Sequence, residues 1–81
     1  MTTEVLFTFP NTKTAITGER TLLAAGLHVT VQPMPEALST QCGIVLRLPE
    51  GELKAGKSAL SAAGIVVSAV YRVQGNNLSL L

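Results

Sequence analysis

Leu23-Ala24-Ala25-Gly26-Leu27, followed by Val29, and Ser61-Ala62-Ala63-Gly64-Ile65, followed by Val67, repeat one pattern within a chain of 81 residues. In each copy, small helix-forming residues run into a glycine, a natural helix stop, and apolar residues at alternate positions then follow as in a strand. The pattern marks a duplicated strand-helix-strand unit.

Ahead of the first copy, residues 4–9 (EVLFTF) place Val5, Phe7 and Phe9 at alternate positions, and Pro10 ends that strand. Asn11 stands as N-cap to a helix over Thr12 to Ala25, with Ala15, Ile16, Leu22 and Leu23 at helical spacing. Leu27, Val29 and Val31 then alternate with His28, Thr30 and Gln32, and Pro33 and Pro35 close this second strand. Residues 33–42 (PMPEALSTQC) show no period and read as a loop. Residues 43–48 (GIVLRL) form a third strand, and Glu52 to Ala63 a second helix with Leu53, Leu60 and Ala63 inward. Ile65 to Val73 is the last strand. Residues 1–73 therefore form a single domain, and 74–81 an uncharged tail that starts in a turn.

Two such units joined by a short connection predict an α/β (α+β) fold of the ferredoxin-like, split βαβ kind. Its four-stranded antiparallel sheet has the order 4-1-3-2, with both helices on one face. A parallel doubly wound sheet is the rival, but the link between the second and third strands holds no crossover helix.

Composition narrows the function. Hydrophobic residues make up 47% of the chain and charged ones 14%, a weakly charged surface that favours self-association, such as a homodimer, or a protein partner. A net charge of +1 and three aromatics, Phe7, Phe9 and Tyr71, argue against nucleic acid as a partner. No apolar run is long enough to span a membrane and no basic leader precedes one, so a cytoplasmic protein is expected. A lone cysteine offers no intramolecular disulfide and no CxxC pair, so no metal site and no cofactor are expected.

That cysteine, Cys42, precedes the third strand. In the predicted topology it reaches the sheet edge that carries the start of the first helix, near Asn11, Thr12 and Lys13. Free backbone N–H groups and the positive helix end favour an anion there, and so a thiolate. Gly43 beside it leaves room for another molecule to approach. The alternative is that Cys42 is an inert apolar filler at a strand end.

Phe9-Pro10-Asn11-Thr12 with Ala15, Glu19, Leu22 and Gly26, then Pro35, Ser39, Cys42-Gly43 and Arg47, resembles a small bacterial family of selenium or sulfur carrier-like proteins. The resemblance covers residues 5 to 73. Its most specific piece, Ser39-Thr40-Gln41-Cys42-Gly43, is similar to the family's Ser-Ser-x-Cys-Gly, with Thr40 in place of the second serine. The resemblance implies that Cys42 carries sulfur or selenium as a persulfide or selenosulfide. It would hand this to a partner, such as a desulfurase or a sulfur- or selenium-utilising enzyme. The hydroxyls of Ser39 and Thr40 are placed to support a persulfide anion, or else cap a local turn.

Glu19 falls on the apolar stripe of the first helix, as a general base, a partner for Arg47, or a residue at the stripe's margin. His28 is a solvent-facing strand residue with no second histidine to make a metal pair. Residues 51–57 (GELKAGK) lack phosphate-loop spacing and read as a turn entering a helix. No nucleophile with a nearby His and no paired carboxylates stand out, so the chain is expected not to be an enzyme. A ligand-binding or regulatory module, and a structural subunit with Cys42 inert, remain as alternatives to the carrier.

Overall fold

Val5, Leu6, Phe7 and Thr8 are each at most 1% exposed, so the first strand is buried on both faces and belongs at the centre of a sheet. The computed structural model describes residues 3–33, 43–75 and 77–81. Along the chain they form β1 (Glu4–Thr8), α1 (Thr12–Ala24), β2 (Thr30–Pro33), β3 (Ile44–Pro49), a 3₁₀ turn (Glu50–Glu52), α2 (Leu53–Ala62), β4 (Ala69–Gln74) and β5 (Asn77–Leu80). No helix among the described residues is long and apolar enough to cross a membrane.

The strands form one antiparallel sheet of order β2-β3-β1-β4-β5. This corrects the expected four-stranded sheet of order 4-1-3-2. Read from the other edge the order is 5-4-1-3-2, and the added strand comes from the segment expected as a tail. After a turn at Gly75, φ +61, Leu78 pairs with Val73 and Leu80 with Tyr71. Backbone pairing then continues beyond the strand, with the Leu81 N–H donating to the Val70 carbonyl at 2.9 Å. Pro33 is tolerated inside β2 because β2 is an edge strand, where one missing N–H leaves no ladder partner unsatisfied.

Both helices pack on one face of the sheet. Val5, Phe7, Phe9, Leu46, Leu48 and Val70 form a single core with Ala15 and Leu22 of α1 and Leu60 of α2. Each helix approaches the sheet through a glycine. A Cβ on Gly18 would meet Phe9 at 3.1 Å and Leu46 at 3.5 Å, while one on Gly56 would meet Leu48 at 3.4 Å and Phe7 at 3.5 Å. Phe9 and Leu48, and Leu46 and Phe7, exchange roles, so the sequence repeat is also a repeat in packing. Ile16 and Leu23, expected on the buried stripe, are 42% and 52% exposed. They lie one position beyond Ala15 and Leu22, the residues that face the sheet.

Both helices end in the same hydrogen-bonded reversal. Gly26, φ +80, donates to the Leu23 carbonyl and Leu27 to that of Leu22; Gly64, φ +73, donates to Ser61 and Ile65 to Leu60. These are two Schellman closures, with Leu27 and Ile65 returning to the helix turn they cap. Leu27, Val29, Ile65 and Val67 then pack against the core without joining the sheet, whose strands begin at Thr30 and Ala69. The expected strands over 27–32 and 65–73 therefore start too early. Their alternation is real, but these residues descend from the helix layer to the sheet.

Candidate functional site

Asn11 caps α1 as its sequence position implied: its backbone is extended, and its side-chain oxygen accepts the Thr14 N–H at 2.8 Å. The cap holds the first turn, with Thr12 and Lys13 exposed to solvent. Leu46 pairs with Phe7, so continuing the antiparallel register by two residues puts Ile44 opposite Phe9. Gly43 and the first turn of α1 thus share one edge of the sheet. Gly43 is exposed, and a Cβ built on it would meet nothing within 4 Å. Cys42, Ser39 and Thr40, the remaining members of the expected site, lie outside the described residues.

On this edge lies a cavity of about 350 Å³, walled by Pro10, Lys13, Thr14 and Thr17 on one side and by Gly64, Ile65 and Val66 on the other. Thr17 spends its hydroxyl on the Lys13 carbonyl at 3.1 Å, and Lys13 is the one charged residue in the lining. Among the described residues, Lys13 has no ion-pair partner. A second cavity, of about 340 Å³, is lined by Glu50, Gly51, Leu53, Lys54, Lys57 and Arg72. There Arg72 and Glu50 are already paired with each other. Residues 51–57 enter α2 from the 3₁₀ turn, in agreement with their reading as a turn into a helix.

Sequence reasoning missed the polar contact between the loop after α1 and the 3₁₀ turn before α2. Glu52 accepts the backbone N–H of His28 at 2.7 Å through Oε1, and its Oε2 lies 2.6 Å from His28 Nδ1. The hydrogen bond and charge of Glu52 raise the His28 pKa above its ordinary value, and the same contact holds the Glu52 carboxyl below its own. No local signal announces it, because the partners are far apart in sequence and meet only through the fold.

Arg47 pairs with Glu4, not with Glu19. Arg47 stands opposite Leu6, on the sheet face away from the helices, so a side chain of α1 has no route to it. Gln32 on the neighbouring strand also accepts from Arg47, at 3.3 Å. Among the described residues, no group of three or more His, Cys, Asp or Glu side chains is placed to hold a metal ion.

A family model described as "Putative Se/S carrier protein-like" matches residues 4–72. The chain belongs to this family. The match runs from the start of β1 into β4, so it takes in both halves of the Se/S carrier-like fold and the connection between them. Searches of curated proteins and of solved structures found no match.

Proposed function

We propose that the chain is a carrier of sulfur or selenium that binds one such atom on Cys42, as a persulfide or selenosulfide, and delivers it to a partner enzyme. The observation that carries this reading is the family match over residues 4–72, a span in which Cys42 is the only cysteine of the chain.

Loading needs a donor persulfide. The Cys42 thiolate attacks its outer sulfur, the donor's S–S bond breaks, the donor leaves as a thiolate, and Cys42 holds the new persulfide. No net oxidation occurs, so neither an oxidant nor a cofactor is required. Unloading repeats the exchange with the acceptor's thiolate, and a selenosulfide follows the same course with selenium as the transferred atom. One thiol suffices because the partner supplies the other sulfur at each step.

The scaffold, read as a ferredoxin-like split βαβ fold, supports the reading through the sheet edge. Gly43 and the first turn of α1 share that edge, and the Asn11 cap fixes this turn, in which Thr12 and Lys13 are exposed. A cysteine preceding Gly43 would feel a positive environment, which lowers a thiol pKa. Ser39 and Thr40 supply hydroxyl donors to the terminal anion. The chain is then a cytoplasmic carrier rather than an enzyme, and a cysteine desulfurase or a sulfur- or selenium-utilising enzyme is its partner.

Alkylation of the full chain by iodoacetamide across pH tests the activated thiol. The rate should reach half its maximum below pH of about 8.5, the ordinary thiol value, and Lys13→Gln should move that midpoint upward. A midpoint at or above the ordinary value contradicts activation.

A further inference from the structure

The two halves of the fold treat one position differently. The shift in residue number that takes Gly18 to Gly56, Leu22 to Leu60 and Gly26 to Gly64 also takes Thr14 to Glu52 and His28 to Val66. In the first pair of elements, the loop after α1 meets the start of α2, and the carboxylate of Glu52 fills the gap by accepting the His28 N–H at 2.7 Å. In the second, the loop after α2 meets the start of α1. Here the shorter Thr14 stands where Glu52 would, and the gap is the cavity of about 350 Å³. Among the described residues, the Val66 N–H, counterpart of the bonded His28 N–H, has no hydrogen-bond partner.

We propose that this cavity binds a small aliphatic carboxylate, whose oxygens take the place held in the other half by those of Glu52. Val66 N–H donates to one oxygen, and the ammonium of Lys13, a wall of the same cavity, supplies the counter-charge. Pro10, Ile65 and the apolar part of Val66, itself 69% exposed, receive the hydrocarbon body. The volume lies in the range of small-molecule sites, and mostly apolar walls with a few convergent polar groups are their usual composition. The site does not involve Cys42; Lys13 is common to both readings, and the Thr14→Glu variant, which leaves Lys13 in place, tests this site separately from the carrier.

The test is a titration of the full ¹⁵N-labelled chain, followed by its amide resonances, with sodium butanoate and with neutral butanamide at constant ionic strength. Butanoate should shift the Val66, Lys13 and Thr14 amides to saturation and butanamide should not. Lys13→Gln should weaken butanoate about tenfold, as for the loss of one charge-assisted hydrogen bond. Thr14→Glu supplies within the chain the carboxylate that Glu52 supplies in the other half. An acid in the first turn suits the helix, so this variant should keep the dispersed spectrum of a folded protein. It should move the Val66 amide without ligand, in the direction butanoate moves it, and abolish saturation by butanoate. Equal shifts with butanamide, or unchanged butanoate binding in folded Thr14→Glu, would overturn the proposal. N-acetyl-aspartate amide, which presents the carboxylate as a protein side chain does, forms a third arm. Tighter binding of that probe than of butanoate overturns the small-acid form of the site.

Discussion

A Cβ on Gly18 would stand 3.1 Å from Cε2 of the Phe9 ring, closer than packed carbon atoms tolerate without movement. The corresponding approach of Gly56 to Leu48 is 3.4 Å, an ordinary contact with the end of a side chain. Two glycines that look alike in sequence therefore differ in what they permit. Gly56→Ala should leave stability unchanged or raise it by up to about 1 kcal/mol, because alanine is the better helix former. Gly18→Ala gains the same helix preference but must shift a fully buried ring, and should be less stable than Gly56→Ala by about 1–3 kcal/mol. Urea denaturation of the two variants checks the contrast, and equal effects would contradict it.

Gly26 and Gly64 close their helices at φ +80 and +73, a backbone region that side-chain-bearing residues occupy at a cost. Alanine at either position should destabilise the chain by about 1–2 kcal/mol. Gly51→Ala is the control: no positive φ is recorded there and no atom lies within 4 Å of the added carbon, so its effect should be small. Thermal unfolding of the three variants separates a conformational requirement from a general intolerance of substitution.

The His28–Glu52 contact should make stability depend on pH in a definite direction. The folded pKa of His28 is raised above 6.5, so its contribution is full below 6.5 and disappears as pH rises through the folded value. The folded pKa of Glu52 is lowered from 4.5, so its contribution is full above 4.5 and disappears as pH falls through the folded value. The stability difference between the natural chain and Glu52→Gln should thus be largest between those two ordinary values. Solvent screens the contact from the exposed His28 side, and the difference should be small throughout. An NMR titration gives the sharper readout: the His28 pKa should fall toward 6.5 in Glu52→Gln, and an unmoved value would contradict the pairing.

The local signals of the fold were legible because they are short-range. Asn11 before a helix, Gly26 and Gly64 after one, and alternation in β1 each express a preference of a few residues. Leu27 to Val29 and Ile65 to Val67 misled because alternation reports that every second side chain is buried, and a segment packing against the core without pairing satisfies that equally well. Leu78 and Leu80 were overlooked for the opposite reason. Four residues without charge give little periodicity, and only the neighbouring β4 makes them a strand. A Glu19–Arg47 pair depends on which sheet face each residue occupies, and the β1–β3 register decides that against it. Asn11, Thr12, Lys13 and Gly43 share one sheet edge because β1 and β3 are antiparallel neighbours, a relation the topology alone implies, while Ser39, Thr40 and Cys42 lie outside the described residues. The unfilled counterpart of Glu52 was not legible, because Thr14 and Val66 become informative only when the two halves are compared in space.

The carrier reading rests on one atom, the sulfur of Cys42, and its most direct test is the intact mass of the full chain after incubation with a cysteine desulfurase and cysteine. A gain of one sulfur that is removed by reducing agent and absent in Cys42→Ser is the predicted result. An unchanged mass, in a reaction where a competent carrier protein acquires sulfur, or an equal gain in Cys42→Ser, would contradict it.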